Sequence, residues 1–327
     1  MHLDVQQPAV LQDYLLRRGW LSENEPIRQL EKPGEGNMNY TLRVITDTRT
    51  LIVKQARPYV EKYPTIAAPA DRAVLEGRFY QHIERSPALQ AFMPQLFGLD
   101  DEQNILVLED LGAASDYTYL YAPGQTLPEA EVNMLTLFLT ELHNGAPADT
   151  ARGVFANRAM RALNHEHVFN YPFLVDNGFD LDTVQPGLQA AAMPYKQDEA
   201  LKRKVAELGR LYLADGATLL HGDYYPGSWL KTNSGTKVID PEFAFYGPAE
   251  FDLGVMLAHL ALARQPAAHH DAVLRAYVRP AGFDEQLMRR FVGVEIMRRL
   301  IGLAQLPLSL SLSEKEALLQ TAYTYFR

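Results

Sequence analysis

The chain has 327 residues, of which 47% are hydrophobic and 22% charged, as in a globular protein large enough for two packed lobes. Its net charge of −9 argues against sequence-independent binding to nucleic-acid backbones, which requires an excess of Lys and Arg, and leaves room for a local basic site that binds a phosphorylated ligand. The absence of cysteine excludes disulfides, cysteine-ligated zinc, iron–sulfur clusters and thiol nucleophiles. Asp4 and Asp13 interrupt the apolar core of any signal peptide, and no stretch approaches the ~18 apolar residues of a membrane span. We therefore predict a cytoplasmic protein without nucleic-acid or membrane partners.

The first third of the chain predicts a small β-rich lobe. Residues 8–19 have helical apolar periodicity and end at a glycine. The alternation over 40–44 and the apolar run 51–53 flank the turn-forming "TDTR", which predicts an antiparallel hairpin. Residues 71–85 suit a helix, and 105–112 form an apolar strand that runs into charge and glycine, as a connector would.

The remaining two thirds predict a larger, mainly helical lobe. Helices are expected over 129–143 and 197–214 and through the last third of the chain, whereas 150–196 has no assignable periodicity. "ATLLHGD" reads as a short strand before a loop and a second hairpin. We therefore predict an α+β fold with a boundary between residues 1–109 and 110–327, and a ligand in the cleft between the two lobes.

The first lobe contains a segment and a lysine that are candidates for binding phosphate, and a glutamate that could hold the lysine in place. Glycines in "GEGNMNY", residues 34–40, let the backbone approach phosphate oxygens, although a GxG by itself is more often a simple turn. Lys54 lies in the apolar strand "LIVKQ", where it either faces outward or reaches nucleotide phosphates. Glu76 in mid-helix is by itself more typical of a solvated face. It could instead pair with Lys54, as a strand lysine and a helix glutamate do in protein kinases.

The span "HGDYYPGSWLKTNSGTKVIDPEF" concentrates acidic residues around a hairpin. Asp223, on a tight loop after a buried strand, could accept the proton of a substrate hydroxyl. Asp240 and Glu242 offer the hard oxygen ligands that suit Mg²⁺, or else form a strand-ending turn. We interpret His221 as a packed histidine that hydrogen-bonds the backbone, and Asp252 as a helix N-cap that can also brace the loop.

The order of these parts resembles the aminoglycoside phosphotransferase and choline kinase superfamily, from about Ile27 to Leu306. That resemblance implies a bilobal, protein-kinase-like fold with a nucleotide-binding first lobe and a catalytic, substrate-binding second lobe. Within the superfamily the chain is most similar to 5-methylthioribose kinases. Like them it has Ser228 where the wider family has a metal-binding asparagine, and "DPEFAFYGP" in place of D-x-D. "GNMNYTLRV", "VKQARPYV", "DRAVLE" and "MRRLIGLAQL" are further matches.

The resemblance assigns ATP and Mg²⁺ as cofactors. Lys54, held by Glu76, would contact the α- and β-phosphates, and the backbone from Glu109 to Leu111 would hydrogen-bond adenine. Asp240 and Glu242, with Ser228, would hold Mg²⁺. The residues expected to cover the triphosphate lie in one loop: Gly34, Gly36, Asn37 and Asn39.

The resemblance also assigns the acceptor side of the reaction. Asp223 would orient and deprotonate the attacking hydroxyl, and Arg298 and Arg299 would contact a sugar substrate. Without the resemblance, two consecutive arginines on a helix are more typical of a solvated patch. Tyr224 follows the base directly and is expected to contact substrate. Homodimers are common in this branch, so a homodimer is expected.

Three hypotheses follow. The first is an ATP- and Mg²⁺-dependent kinase of a small hydroxylated molecule, with 5-methylthioribose phosphorylated at its anomeric hydroxyl. The second keeps this chemistry with another acceptor: another sugar, an amino alcohol or an aminoglycoside, although a cationic antibiotic would need an acidic pocket. The third is a pseudokinase that binds nucleotide without turnover. This hypothesis is disfavoured because the chain keeps the residues that catalysis needs: Lys54, Glu76, Asp223 and Asp240.

Overall fold

The computed structural model describes residues 1–34, 38–145 and 151–327. Its α-helices are α1 (Pro8–Arg17), α2 (Arg72–Ile83), α3 (Pro87–Gln90), α4 (Glu129–Asn144), α5 (Ala151–Val154), α6 (Arg158–His165), α7 (Leu188–Lys196), α8 (Glu199–Leu213), α9 (Glu250–Leu262), α10 (Ala267–Ala276), α11 (Glu285–Ile301) and α12 (Leu312–Thr324). Within these ranges, no helix combines the length and apolar character required to cross a membrane.

The strands are mostly short. They are β1 (Gln29–Glu31), β2 (Tyr40–Ile45), β3 (Thr50–Gln55), β4 (Tyr59–Val60), β5 (Tyr63–Ala67), β6 (Leu96–Asp100), β7 (Ile105–Glu109), β8 (Ala114–Asp116), β9 (Thr218–Leu220), β10 (Trp229–Thr232), β11 (Gly235–Val238) and β12 (Phe245–Gly247). The helices predicted from residues 8, 71, 129 and 197 and the hairpin of β2 and β3 are therefore confirmed, each to within a few residues. The unassigned span before residue 197 contains α5 to α7 and several short 3₁₀ and π turns.

The chain folds into two compact units that are not contiguous in sequence. Unit 1 comprises Met1–Ser115 and Lys231–Ala244, and unit 2 comprises Asp116–Leu230 and Phe245–Arg327. The expected division between residues 109 and 110 differs from this at two places. Residues 110–115 and, more importantly, 231–244 with the "DPE" segment belong to unit 1. A single boundary in the sequence cannot describe this arrangement, because residues 231–244 follow part of unit 2 and yet belong to unit 1.

Unit 1 is built on a five-stranded antiparallel sheet in the order β1-β2-β3-β7-β6. Alternate residues of β2 face a core that also contains the apolar face of α1. β3 lies in the middle of the sheet, so Lys54 is flanked by Thr41 on β2 and Leu106 on β7. The helix α2 approaches the sheet closely, since a Cβ added at Gly77 would lie 2.5 Å from Leu99 Cδ1. That close approach carries the neighbouring residue Glu76 into the interior.

Unit 2 is mainly helical, and α9 and α11 form its centre. Almost all of α9 is buried. The two helices pack closely, since a Cβ added at Gly254 would lie 2.7 Å from the Phe291 Cβ. β9 pairs with β12 in a two-stranded antiparallel sheet, and the "HGD" loop leaves the end of β9. This loop and the C-terminal half of α11 carry the candidate residues of unit 2.

Lys196, at the C-terminal end of α7, is fully buried, and among the described residues its Nζ has no hydrogen-bond partner. Burial lowers its pKa, only partly offset by Asp176. We expect Lys196→Met to stabilise the protein by about 1–3 kcal/mol at neutral pH, because it removes an unsatisfied buried cation and keeps the apolar stem. Urea denaturation measures this gain.

The pH dependence of that gain has a defined sign. The folded-state pKa of Lys196 lies below that of the unfolded chain, so the unfolded state binds more protons between the two values. Wild-type stability therefore rises with pH across this window, and the advantage of Lys196→Met shrinks toward the unfolded pKa of about 10.4. Lys202→Met, on the surface of α8, serves as the matched control. A variant no more stable than wild type at pH 7 would refute this account of Lys196.

Candidate active site

The first cluster, the lysine cluster, comprises Lys54, Glu76 and Asp240 in unit 1. The Lys54 Nζ donates a hydrogen bond to Glu76 Oε1 at 2.9 Å and also forms an ion pair with Asp240. Burial lowers the pKa of Lys54, but the two carboxylates outweigh it and hold that pKa well above its usual value. The predicted pairing of Lys54 with Glu76 is thus observed. The alternative of a solvated face is wrong, because Glu76 is 0% exposed.

Backbone geometry brings Asp240 to Lys54. Asp240 follows β11 in the left-handed region, with φ of 64°, and Pro241 then begins a 3₁₀ turn. The hydroxyl of Tyr80 lies 3.4 Å from Glu76 Oε1 and accepts a hydrogen bond from the Asp240 backbone. Tyr80 is not among the residues predicted from the sequence. Its position four residues after Glu76 on the same helix face was the available signal.

A second cluster in unit 1, the Arg72 network, comprises Asn39, Arg72 and Glu242. Arg72 Nε donates to Asn39 Oδ1 at 2.9 Å, and Asn39 Nδ2 donates to Glu242 Oε2 at 2.9 Å. Arg72 also forms an ion pair with Glu242 at 3.4 Å. Its two terminal nitrogens donate to the backbone carbonyls of Arg57, Pro69, Met38 and Tyr59.

The Arg72 network changes the interpretation of the triphosphate loop. Both ends of the Asn39 amide are occupied and the residue is 7% exposed, so its side chain holds Glu242 and does not face a nucleotide. The Asn39 side chain thus belongs to this network, and the predicted covering of the triphosphate by the loop stays a prediction. Among the residues that the structure describes, no atom lies within 4 Å of a Cβ added at Gly34. The predictions for Gly36 and Asn37 lie outside the described residues.

The carboxylates of Asp240 and Glu242 differ in their availability to a metal. The Asp240 side chain is 40% exposed, whereas Glu242 is buried, and burial together with the nearby Glu76 raises the pKa of Glu242 to about 8. The described ranges contain no group of three or more His, Cys, Asp or Glu arranged to bind a metal. Mg²⁺ usually takes one or two carboxylates and completes its shell with water and phosphate oxygens. Asp240 fits this role as the accessible ligand, whereas Glu242 would bind Mg²⁺ only after losing its proton.

The segment expected to contact adenine follows the end of β7. The Glu109 backbone N–H already donates to Gln95 O at 2.8 Å, and the Glu109 side chain accepts from Gln95 N at 3.1 Å. Asp110 pairs with Arg43 at 2.7 Å, which fixes the chain just before the partly buried Leu111. The Glu109 N–H is therefore engaged, and the contact of adenine with the backbone from Glu109 to Leu111 stays a prediction.

In unit 2 a carboxylate braces the loop that carries Asp223. Asp252 accepts hydrogen bonds from the backbone N–H groups of His221 at 2.6 Å and of Gly222 at 3.0 Å. Asp252 is not the N-cap of α9, because that helix begins at Glu250. That prediction is corrected, and the predicted brace is observed. His221 is fully buried and its Nδ1 accepts from Asp223 N at 3.4 Å, as expected for a packed histidine.

Ser228 completes the loop from its other side. Its Oγ donates to the backbone carbonyl of Asp223 at 2.9 Å, and the residue is 2% exposed. Ser228 therefore helps to hold Asp223 in place. Its expected contact with a metal stays a prediction.

The arginine cluster comprises Asp223, Glu295, Arg298 and Arg299. Asp223 Oδ1 lies 3.7 Å from Arg298 Nη2 and 3.8 Å from Arg299 Nη2. Burial raises the pKa of Asp223, and the two arginines oppose that rise. Both arginines are buried, at 5% and 6% exposure, so the solvated patch that the sequence alone favours is wrong. Glu295 was missed, although its spacing before the two arginines places it on their helix face.

The side chains of the two tyrosines after Asp223 lie in different environments. Tyr224 is 0% exposed, its hydroxyl donates to Leu135 O at 2.9 Å, and its ring stacks on Phe138 at 5.5 Å. The predicted substrate contact of Tyr224 is therefore corrected, because its side chain belongs to the core. Tyr225 is partly exposed, with the Arg299 guanidinium 4.8 Å from its ring centroid.

We expect Tyr224→Phe to destabilise the protein by about 0.5–1.5 kcal/mol, the loss of one buried hydrogen bond. The Michaelis constant for any acceptor should stay at the wild-type value. Urea denaturation and initial-rate kinetics measure the two effects. Tyr323→Phe, which removes a hydroxyl bonded to Asp198, is the matched control for stability. A raised acceptor KM without loss of stability would show that the Tyr224 hydroxyl contacts the substrate after all.

Comparison with known proteins identifies the family to which the chain belongs. The profile of the phosphotransferase enzyme family matches residues 29–291. A methylthioribose kinase of Exiguobacterium sibiricum is 33% identical over 257 residues, which are 74% of this chain and 63% of that protein. One of Bacillus cereus is 32% identical, over 70% of this chain and 59% of that protein. The chain thus spans about six tenths of the length of the curated relatives it matches.

Solved structures show the same fold. A spectinomycin phosphotransferase in complex with ADP and spectinomycin aligns with 100% of this chain and 98% of its own, with a TM-score of 0.55 and 15% identity. A choline kinase from Streptococcus pneumoniae aligns with 98% of this chain and 99% of its own, with a TM-score of 0.51 and 12% identity. At these identities the likeness establishes the fold alone, and the predicted α+β, protein-kinase-like fold class is confirmed.

Proposed function

Because the chain belongs to the phosphotransferase enzyme family, we propose that it transfers the γ-phosphoryl group of ATP to a hydroxyl of a small molecule. The observation that carries this proposal is the lysine cluster, in which a buried strand lysine is held between Glu76 and Asp240. A buried ammonium clamped in this way is a fixed positive charge for nucleotide phosphates. Phosphoryl transfer depends mainly on such positioning and charge neutralisation.

In this proposal unit 1 binds the nucleotide. Lys54 contacts the α- and β-phosphates, and the backbone of the loop from residue 34 to 39 covers the triphosphate. The backbone from Glu109 to Leu111 binds adenine. Asp240 and Glu242 hold Mg²⁺, with the Arg72 network orienting Glu242. The ion supplies neutralising charge to the phosphate oxygens when it is bound.

Unit 2 supplies the groups that act on the acceptor. Asp223 accepts the proton of the attacking hydroxyl and orients its oxygen. Arg298 and Arg299 donate to oxygens of the acceptor beside Asp223, which their distances of 3.7 and 3.8 Å from Oδ1 support.

We propose 5-methylthioribose as the acceptor, phosphorylated at its anomeric hydroxyl. The support is the identity of 33% and 32% to proteins named methylthioribose kinase. Arg298 and Arg299 balance the charges of Asp223 and Glu295, so this cluster offers no excess negative charge to a cationic aminoglycoside or choline. We also propose a cytoplasmic location, which a chain without cysteine suits, and a homodimer, which sedimentation would test.

The test is ADP release with Mg·ATP and, in parallel, 5-methylthioribose, ribose, choline and kanamycin. We expect turnover with 5-methylthioribose at least about 10-fold above the other acceptors, roughly 1.4 kcal/mol of discrimination. Turnover with a different acceptor would refute the substrate and retain the reaction. ATP binding without turnover, in this panel and in a wider set of sugars and alcohols, would refute the reaction and favour the pseudokinase.

A further inference from the structure

A chain of buried polar side chains in unit 2 leads away from Asp223 through Arg298 and Arg299. Behind the two arginines lies Glu295, which is 1% exposed on α11. Its Oε2 accepts from Arg298 Nε at 2.5 Å and its Oε1 accepts from Arg299 Nε at 2.8 Å. One carboxylate therefore holds both arginines by their inner nitrogens. The outer nitrogens, the two Nη2 atoms, are left directed at the same oxygen of Asp223.

Glu295 is itself held from behind by His259 and Tyr121. His259 Nε2 lies 2.9 Å from Glu295 Oε1, and His259 Nδ1 lies 2.6 Å from the Tyr121 hydroxyl. Burial lowers the pKa of His259 to about 4, so the imidazole is neutral near pH 7. Because a carboxylate only accepts, Nε2 carries the proton and Nδ1 accepts from the Tyr121 hydroxyl. Tyr121 thus donates a hydrogen bond to His259, and His259 donates one to Glu295.

Glu295 balances the charge of the two buried arginines. Two adjacent guanidinium groups repel each other, and both are buried. Glu295 behind them and Asp223 in front supply two negative charges to match. Burial would raise the pKa of Glu295, but Arg298 and Arg299 outweigh it and hold the pKa well below its usual value. Without Glu295, both arginines would lose the hydrogen bond at Nε that sets their direction. Arg299 would keep its contacts with the Ala304 carbonyl at 3.5 Å and with the Tyr225 ring.

We propose that Glu295, supported by His259 and Tyr121, is a positioning residue that aims both arginines at the acceptor beside Asp223. This inference rests on the proposed function, because it assigns the arginines to the acceptor. None of these three residues touches the reacting atoms in it. Their loss should impair use of the acceptor and leave nucleotide binding, which belongs to unit 1, unchanged.

Glu295→Gln tests the proposal, because it keeps the shape and replaces one accepting oxygen by a donor that faces an arginine or His259. We expect kcat/KM for the acceptor to fall on the order of 10- to 100-fold, and KM for ATP to stay within about 2-fold. Glu295→Asp, which retains the charge, should recover part of the loss. Tyr121→Phe should give a smaller loss of the same kind, since it removes only the outermost hydrogen bond.

Glu250→Gln is the matched control. Glu250 is also a buried glutamate of unit 2, but its carboxylate accepts from Asp284 N at 2.6 Å and serves a different helix junction. We expect this variant to lose stability and to keep both Michaelis constants. If Glu295→Gln behaves like Glu250→Gln, the carboxylate is structural only and the proposal fails.

A second measurement does not depend on turnover. Phenylglyoxal modification, followed residue by residue by peptide mass spectrometry, reports how firmly each arginine is held. We expect Arg298 and Arg299 to react slowly in the wild type and at least about 10-fold faster in Glu295→Gln. A 10-fold change corresponds to about 1.4 kcal/mol, which is about the stabilisation that an arginine loses with its hydrogen bond to a carboxylate. Arg161, which is 2% exposed and paired with Asp215, should stay slow in both and is the internal reference.

The two measurements separate the two proposals. A wild type without turnover on any acceptor refutes the proposed function and with it the acceptor role of the arginines, and the arginine reactivities then still show whether Glu295 holds them in place. Unchanged reactivities refute that role even in an active enzyme. If Glu295→Gln does not fold, Tyr121→Phe and His259→Gln take its place. Wild-type acceptor KM and arginine reactivity in both of these variants would overturn the proposal.

Discussion

Asp223→Asn is expected to lower kcat by about 10²- to 10⁴-fold while the affinity for ATP is unchanged. Asparagine has nearly the same shape, so the loop held by Asp252 and Ser228 should persist. Its amide cannot accept the proton of the attacking hydroxyl, and it no longer compensates the charges of the arginine pair. ADP release measures the first effect, and a fluorescent ATP analogue measures the second.

Asp271→Asn, at an exposed position of α10, is the control for a general effect of removing a carboxylate from unit 2. It should leave kcat and ATP affinity unchanged. Retention of kcat within about 3-fold in Asp223→Asn would contradict the role of Asp223 as base, because general-base catalysis contributes more than this.

Lys54→Met is expected to abolish detectable turnover and to lower the free energy of unfolding by about 3–5 kcal/mol. The methionine keeps the apolar stem of the lysine but leaves Glu76 buried without its cationic partner. Asp240 is affected less, because its side chain is 40% exposed and water can solvate it. ADP release and the urea midpoint are the two measurements.

The double variant Lys54→Met/Glu76→Gln separates the two roles of Lys54. Removing the stranded charge should restore most of the stability, while turnover should stay absent because the phosphates still lack their lysine. Lys62→Met, an exposed lysine of the same unit, should change neither quantity. Full turnover in the double variant would show that Lys54 acts only as a counter-ion for Glu76.

Part of the site could be predicted from the sequence because the local alternation of apolar residues and the turn residues determine the structure there. The alternation over β2 and the turn before β3 require a hairpin, and that hairpin places Lys54 in the middle strand of the sheet. The motif order "HGD", hairpin and "DPE" was enough to identify the acidic residues. Glu76 and the arginine pair could not be assigned from their own surroundings. They became candidates only through the order of motifs and the resemblance to a family.

The supporting residues could not be predicted, because their partners are distant in sequence. Arg72 reaches Glu242, and His259 reaches Glu295 and Tyr121. Tyr224 and Tyr225 are neighbours in sequence, yet one lies in the core and the other beside Arg299. The direction in which a side chain points from an irregular loop depends on the elements packed around it.

The α+β fold class, the hairpins and helices, and the residue types of the site could thus be predicted from the amino-acid pattern. Periodicity and motif order follow from local sterics and burial, which a linear sequence expresses directly. Packing, in contrast, is what returns residues 231–244 to unit 1, places Asn39 against Glu242, and sets Glu295 behind two buried arginines. A buried charge requires a partner wherever the fold can supply one, and the positions of those partners are a property of packing.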